Sequence, residues 1–371
     1  MYSERVMQMY INNIIPVTKP YIPPLEKYQE LVAEIFKRGW LTNNGPMVRS
    51  LETGLQDYLG VKHVICVANG TLALQVLYKA LELDGRVITT PFSFVATSSS
   101  LKWQGLEPIF ADINPDTFNL CHNKVEDLID DKVSAILPVH VFGSPVDVEK
   151  FDDLGNRFRI PIIYDASHAF GVKKHDGTSV LNYGKASTLS FHSTKLFHSI
   201  EGGAVVTNDD YLAERIRLMI NFGIDGPDSV FNLGINAKMN EFEAAMGLLV
   251  LDVVDELIEE RLEIDKEYIE KIDGRLGTQL RDNCWQLNGA YMPILPEDEH
   301  ETREFQNLLE KNSILTRRYF SPSLDRLDFL STRKNVCENS RRLASKILCL
   351  PIYNGLKKSQ IKNIVSLIRG P

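Results

Sequence analysis

From about residue 60 to residue 207, short apolar runs alternate with longer amphipathic stretches. The apolar runs cover 64–67, 87–90, 108–112, 135–139, 161–165, 188–191 and 204–207. Several are apolar at every position rather than at every second one, as strands covered on both faces must be. Segments of helical period lie between them, 71–83 and 146–158 among them. This repeated strand–helix–strand order predicts an α/β fold whose mostly parallel sheet has seven strands and right-handed crossovers. In such sheets ligands sit beyond the carboxyl ends of the strands, so chemistry is expected just after each strand.

A long apolar-rich helix is expected next, from an N-cap at Asn240 to about Ile264. Beyond it the pattern changes. Residues 266–277 are charged and helical, and short strands at 291–295 and 347–351 alternate with helices such as 302–312. The pattern therefore divides the chain into a large α/β domain over 1–256 and a smaller α+β domain over 257–371. An N-terminal extension of about residues 1–14 precedes the first regular element.

Composition narrows the function classes. The chain has 371 residues, 44% hydrophobic and 24% charged, which is ordinary globular usage and excludes a disordered, collagen-like or coiled-coil chain. A formal charge of −8 offers no basic footprint for nucleic acid. No run approaches the roughly 18 apolar residues of a membrane span, and the first residues lack the apolar core and cleavage site of a signal peptide. A cytoplasmic protein with neither nucleic acid nor membrane as partner is expected. The five cysteines, Cys66, Cys121, Cys284, Cys337 and Cys349, form no Cys-x-x-Cys pair, which argues against a disulfide framework and a zinc site.

Three strand ends carry candidate chemistry. Ala68-Asn69-Gly70-Thr71 joins a strand to a helix through small residues, so free backbone N–H groups at the positive end of the helix dipole could cradle an anion. An ordinary capped turn reads the same way. The run ending at Asp165 places a carboxylate where it could hold a cationic nitrogen or simply cap a helix, with His168 three residues on. Lys195 follows the strand at 188–191 beside Ser193 and Thr194, and Gly202-Gly203 leads into the next strand. A lysine so placed can form a Schiff base with a carbonyl; a solvated loop lysine is the plain alternative. The phosphate-loop, dinucleotide, zinc-protease and serine-hydrolase signatures are all missing.

An anion cradle, a carboxylate and a lysine are together what pyridoxal 5'-phosphate (PLP) requires. Seven ordered stretches then resemble the nucleotide-sugar aminotransferases of the DegT/StrS type, PLP enzymes of fold type I. They are Trp40-Leu41-Thr42-Asn43-Asn44-Gly45-Pro46, Asn69-Gly70-Thr71-Leu72-Ala73-Leu74, Thr90-Pro91-Phe92-Ser93-Phe94-Val95-Ala96-Thr97, Val139-His140-Val141-Phe142-Gly143, Asp165-Ala166-Ser167-His168-Ala169-Phe170-Gly171, Ser190-Phe191-His192-Ser193-Thr194-Lys195 and Gly234-Ile235-Asn236-Ala237-Lys238-Met239-Asn240-Glu241. Their shared order, rather than any one of them, makes the resemblance specific.

The resemblance implies a site residue by residue. Lys195 would bind the cofactor covalently and shuttle the proton between cofactor and substrate carbons. Asp165 would pair with the pyridinium nitrogen, and His168, where the family often has Gln, would hydrogen-bond the phenolic oxygen. Phe94 would stack on the ring. Gly70, Thr71 and Ser190 would hold the phosphate, with Asn236 reaching it from the partner subunit of a homodimer that shares its active sites. Lys238, Arg317, Arg318 and Tyr319 are the candidates for substrate contacts. Lys238 stands where the family commonly has Arg, and Phe222 where it has His, which leaves the sugar and donor contacts open.

The implied activity is transfer of an amino group from L-glutamate, released as 2-oxoglutarate, to a nucleotide-linked keto sugar through pyridoxal and pyridoxamine phosphate (PMP). The segment from Ser190 to Gly203 looks most like members acting on dTDP-4-keto-6-deoxy-D-glucose for O-antigen or other surface polysaccharides. A C-3 aminotransferase, a UDP- or GDP-sugar enzyme, and a catalytically silent regulator or scaffold on the same fold remain alternatives at this point.

Overall fold

In the computed structural model, residues 14–330 and 335–369 are described, so residues 1–13 of the expected extension lie outside them. All seven expected apolar runs form strands: β1 (His63–Val67), β2 (Arg86–Thr89), β3 (Glu107–Phe110), β4 (Val133–Leu137), β5 (Ile163–Asp165), β6 (Ala186–Ser190) and β7 (Gly203–Thr207). Nearly every residue in them is buried, which is why their sequence is apolar without alternation.

The ladders make two sheets rather than one of seven strands. One runs β1-β7-β6-β5 and the other β3-β2-β4. Isolated parallel bridges, Ile136 to Ile162 and Val139 to Asp165, lie between β4 and β5 where the two adjoin. β2 pairs in parallel with β3 and β4, and β5 in parallel with β6, but β7 is antiparallel to both of its neighbours. The sheet is therefore mixed. The reason is local: β6 and β7 are joined by residues 191–202 without a crossover helix, and a parallel return needs one. That connecting loop carries Lys195.

Helices cover the sheet and are closed by side chains the sequence supplies. Asn69 Oδ1 accepts from Leu72 N at 2.9 Å at the start of Gly70–Ala80. Asp147 caps Val148–Phe158 in the same way, and Asn240 Oδ1 accepts from Phe242 N and Glu243 N at 3.0 Å each. The long helix expected from Asn240 to about Ile264 is broken. It stops at Leu251 and restarts as Val254–Ile272, with Val253 out of helical conformation (φ −123°, ψ 11°). Apolar periodicity continues through the break, so the pattern alone could not show it.

Val254 and Leu257 pack into the large core over the sheet, whereas Ile264, Tyr268 and Ile272 of the same helix enter a separate core. That second core includes Met292, Ile294, Leu309, Leu348 and Leu350. It is bounded by the antiparallel strands Met292–Ile294 and Leu348–Leu350 and by the helices Glu299–Lys311 and Lys358–Arg369. The N-terminal residues join it too: Ile15 N donates to Ser313 O and Leu315 N to Ile15 O, both at 2.8 Å. No helix among the described residues is long and apolar enough to cross a membrane.

Candidate active site

The strand register collects the candidate chemistry at one edge. Val67 at the end of β1 lies opposite Gly203 at the start of β7, and Gly203 lies opposite Ser190 at the end of β6. Thr188 of β6 lies beside Asp165 at the end of β5. Because β7 runs backwards, its amino end joins the carboxyl ends of β1, β5 and β6.

The Gly70–Ala80 helix starts at this edge, and its first N–H groups have no intrahelical acceptor. A Cβ on Gly70 would stand 3.0 Å from Ser190 Cβ, and one on Gly203 would come within 2.6 Å of Gly70 N. Glycine at both positions lets the helix start press against the ends of β6 and β7. A compact dianion at this point would meet free N–H groups, the positive end of a helix dipole and the Ser190 hydroxyl.

Asp165 is 5% exposed. Its Oδ2 accepts from Thr97 Oγ1 at 2.7 Å, and its Oδ1 accepts from Ser167 N at 3.1 Å and Ser167 Oγ at 2.6 Å. Thr97 is in turn within 2.8 Å of Ser93 Oγ. All these partners are neutral, and among the described residues no cation lies at ion-pair distance. A buried carboxylate held only by neutral donors is costly unless a cation faces it. A protonated ring nitrogen meets that need.

Lys195 reaches the same space. Burial pushes its amine down to about 8, against a smaller opposing effect of the Asp165 charge. Its Nζ lies 3.4 Å from Tyr291 Oη, at the long end of hydrogen-bond range. His168 is buried, and its Nδ1 accepts from Phe142 N at 3.3 Å. The neutral ring therefore carries its proton on Nε2. Burial, with the Lys195 and His140 charges adding to it, holds His168 well below the usual histidine range. The imidazole packs edge-on against Tyr291 at 4.8 Å and parallel to Phe320 at 5.7 Å. Ser167, His168, Ser190, Thr194, Lys195 and Tyr291 line a narrow cleft.

The donor set thus suits PLP on grounds internal to this chain: an anion cradle and a buried carboxylate without an ion-pair partner among the described residues lie at the same sheet edge as a partly desolvated amine, close enough for the Asp165 charge to act on it. Phe94, in the turn after β2, is 57% exposed. Thr71 is exposed at the helix start.

The remaining candidates are more scattered. Asn236 is exposed on the surface, its backbone bridged to Asn221. Lys238 is bridged to Val67 at the end of β1, with its ammonium 4.9 Å from the Phe222 ring centre. Burial lowers its pKa. Arg317 lies over Tyr319 at 5.8 Å, and Tyr319 meets Tyr291 edge-on at 5.5 Å, which joins both to the cleft wall.

Arg318 is held by contacts within the chain. Its Nη2 donates to Ala344 O at 3.0 Å and Ser345 O at 2.7 Å, and its Nη1 to Glu299 at 3.4 Å. These donors close the C-terminal carbonyls of the helix Glu338–Lys346. Sequence reasoning missed Thr97, Ser167 and Tyr291. The first two stand inside stretches it singled out, but Tyr291 meets Lys195 across 96 positions with no local signal.

A family model described as the DegT/DnrJ/EryC1/StrS aminotransferase family matches residues 25–369. The chain is 40% identical to the dTDP-4-amino-4,6-dideoxy-D-glucose transaminase of Shigella dysenteriae, over 95% of this chain and 98% of that one. It is 38% identical to the Escherichia coli protein of the same name, over 96% and 98%. The crystal structure of DesI in the presence of its TDP-sugar product superposes with a TM-score of 0.91 at 32% identity, covering 97% of this chain and 95% of that one. These likenesses make the chain a member of the DegT/DnrJ/EryC1/StrS family of PLP-dependent aminotransferases.

Proposed function

We propose that this chain transaminates dTDP-4-keto-6-deoxy-D-glucose to dTDP-4-amino-4,6-dideoxy-D-glucose, with L-glutamate as donor and 2-oxoglutarate as the product that leaves. The observation that supports the chemistry is the nearness of the Asp165 carboxylate to the Lys195 amine, whose pKa it raises against burial, at the sheet edge where the Gly70 helix starts. The nucleotide and the 4-keto position are taken from relatives near two-fifths identical over almost their whole length. We further propose a cytoplasmic homodimer with shared sites serving O-antigen or other surface polysaccharide synthesis, and a division into domains close to residue 257.

The bound cofactor supplies an aldehyde for an amine and a ring that accepts electrons from the reacting carbon. The chain does the rest. The Gly70 and Thr71 N–H groups and Ser190 would hold the phosphate, with Asn236 of the partner subunit. Thr97 and Ser167 orient Asp165, whose charge favours a protonated ring nitrogen. His168 offers a proton at Nε2 to the phenolic oxygen. Phe94 would cover the ring face. The Lys195 amine would carry the proton between the reacting carbons, a role that its lowered pKa suits near neutral pH. Lys238, and Arg317 seated on Tyr319, are left for substrate anions; Lys238 offers a point charge where Arg would offer a fork.

The test is incubation of the PLP-loaded protein with L-glutamate and a panel of dTDP-, UDP- and GDP-linked keto sugars, read by mass spectrometry and NMR. A C-4 amine on the dTDP sugar is expected, and none with Lys195→Ala. An amine at C-3, or only on UDP or GDP sugars, would reject the substrate; no amine on any of them would reject the activity.

A further inference from the structure

Tyr291 is half-buried in the cleft wall, and nothing in the reaction described above uses it. Its ring is gripped from three sides: edge-on by His168 at 4.8 Å, edge-on by Tyr319 at 5.5 Å, and tilted against Phe142 at 5.1 Å. Its hydroxyl is thereby aimed rather than free to wander. Among the described residues that hydroxyl is the one hydrogen-bond partner of Lys195 Nζ, at 3.4 Å, and the ammonium also lies 6.0 Å from the ring centre. Lysine has four rotatable side-chain bonds, so an amine with no partner samples many positions. Ordering it for attack has an entropic cost.

We propose that Tyr291 is a positioning residue that parks the free amine of Lys195 within reach of the cofactor aldehyde, an inference that rests on the PLP-dependent reading of the cleft. The amine must be recaptured each time the cofactor returns to its aldehyde form. When the stripped protein captures free PLP, a carbon–nitrogen double bond would form, the aldehyde carbon–oxygen bond would break, and the oxygen would leave as water with the two amine protons; at the end of a turnover the same amine would instead displace the product amine. Tyr291 supplies no atom to this exchange. Its hydroxyl holds the nitrogen by a long bond that is readily released.

The variant is Y291F, which keeps the gripped ring and deletes only the oxygen. Stripped wild-type and variant proteins are mixed with PLP, and the growth of the lysine-bound visible band is followed by stopped flow. Borohydride trapping and peptide mass spectrometry then locate the modified residue. Binding of PMP, which carries an amine in place of the aldehyde and needs no lysine, is measured in parallel. Capture about tenfold slower in Y291F with unchanged PMP affinity is expected. Equal capture rates would overturn the proposal. An equal loss of capture and PMP binding would also overturn it, because Tyr291 would then only shape the cavity. A wild-type protein that traps nothing at Lys195 would instead reject the PLP reading itself.

Discussion

The amine of Lys195 has exchanged much of its hydration for the cleft, and its pKa falls from 10.5 to about 8. Only the neutral amine attacks an aldehyde. About a tenth of it is neutral at pH 7 and about nine tenths at pH 9, by the ordinary titration relation. Capture of PLP by the stripped protein should therefore rise about tenfold between those values and level off above pH 9. A rate still climbing through pH 10.5 would mean the lysine is fully hydrated. Asp165 is held by side chains that carry no charge, so its orientation depends on Thr97 and Ser167. Thr97→Val keeps the shape and deletes one charge-assisted hydrogen bond, of order 1.5–3 kcal/mol. It should lower kcat by roughly tenfold or more while the protein retains bound PLP. Asp165→Ala should lose both turnover and cofactor retention, and wild-type rates in that variant would contradict its role.

Two element ends have requirements that can be tested separately from the chemistry. The helix start at Gly70 is pressed to within 3.0 Å of Ser190 Cβ for any added Cβ. Gly70→Ala should weaken PLP binding about tenfold, read by fluorescence titration, with circular dichroism unchanged; tight binding would show that the cradle has slack. Elsewhere, the carboxylate of Glu241, fully buried, accepts from Met47 N at 2.9 Å and Val48 N at 3.0 Å. It thereby caps the helix Pro46–Leu59 from across the chain. Glu241→Ala would strand two buried donors, which costs roughly 2–4 kcal/mol. A lower urea midpoint at unchanged slope is the expected signature.

At the scale of the molecule, Val230, Phe231 and Leu233 are 71–75% exposed in and just after the hairpin formed by Ile224–Gly226 and Ser229–Val230. Contiguous exposed apolar residues of this kind mark contact surfaces. They lie close in sequence to Asn236, the residue proposed to serve a partner's site. Mixing Lys195→Ala subunits with Asn236→Asp subunits tests the sharing directly. Random reassociation puts half of the chains in mixed dimers, each with one intact site of two. About a quarter of wild-type activity should reappear from two dead proteins. If each site is complete within one chain, none will return.

How much was legible in advance follows from where the signals lie. Short, mostly apolar runs at regular spacing between helical stretches made all seven strands readable, as was the Asn240 cap, because a cap is a contact of two or three positions. The reversal of β7 was in principle visible in the short loop before it, but the split into ladders of four and three was not, since β4 and β5 meet only through isolated bridges that no local pattern marks. The helix break at Val253 was hidden because apolar period continues across it. At the site, Asp165, Lys195 and Gly70 announce themselves because each is chemically unusual immediately after a strand. The position of Arg318 at carbonyls of another helix and of Tyr291 beside Lys195 leaves no trace in neighbouring residues. Residue chemistry and strand order are local properties written along the chain, whereas the partner of a long side chain depends on which distant segment folding brings within a few ångströms of its end.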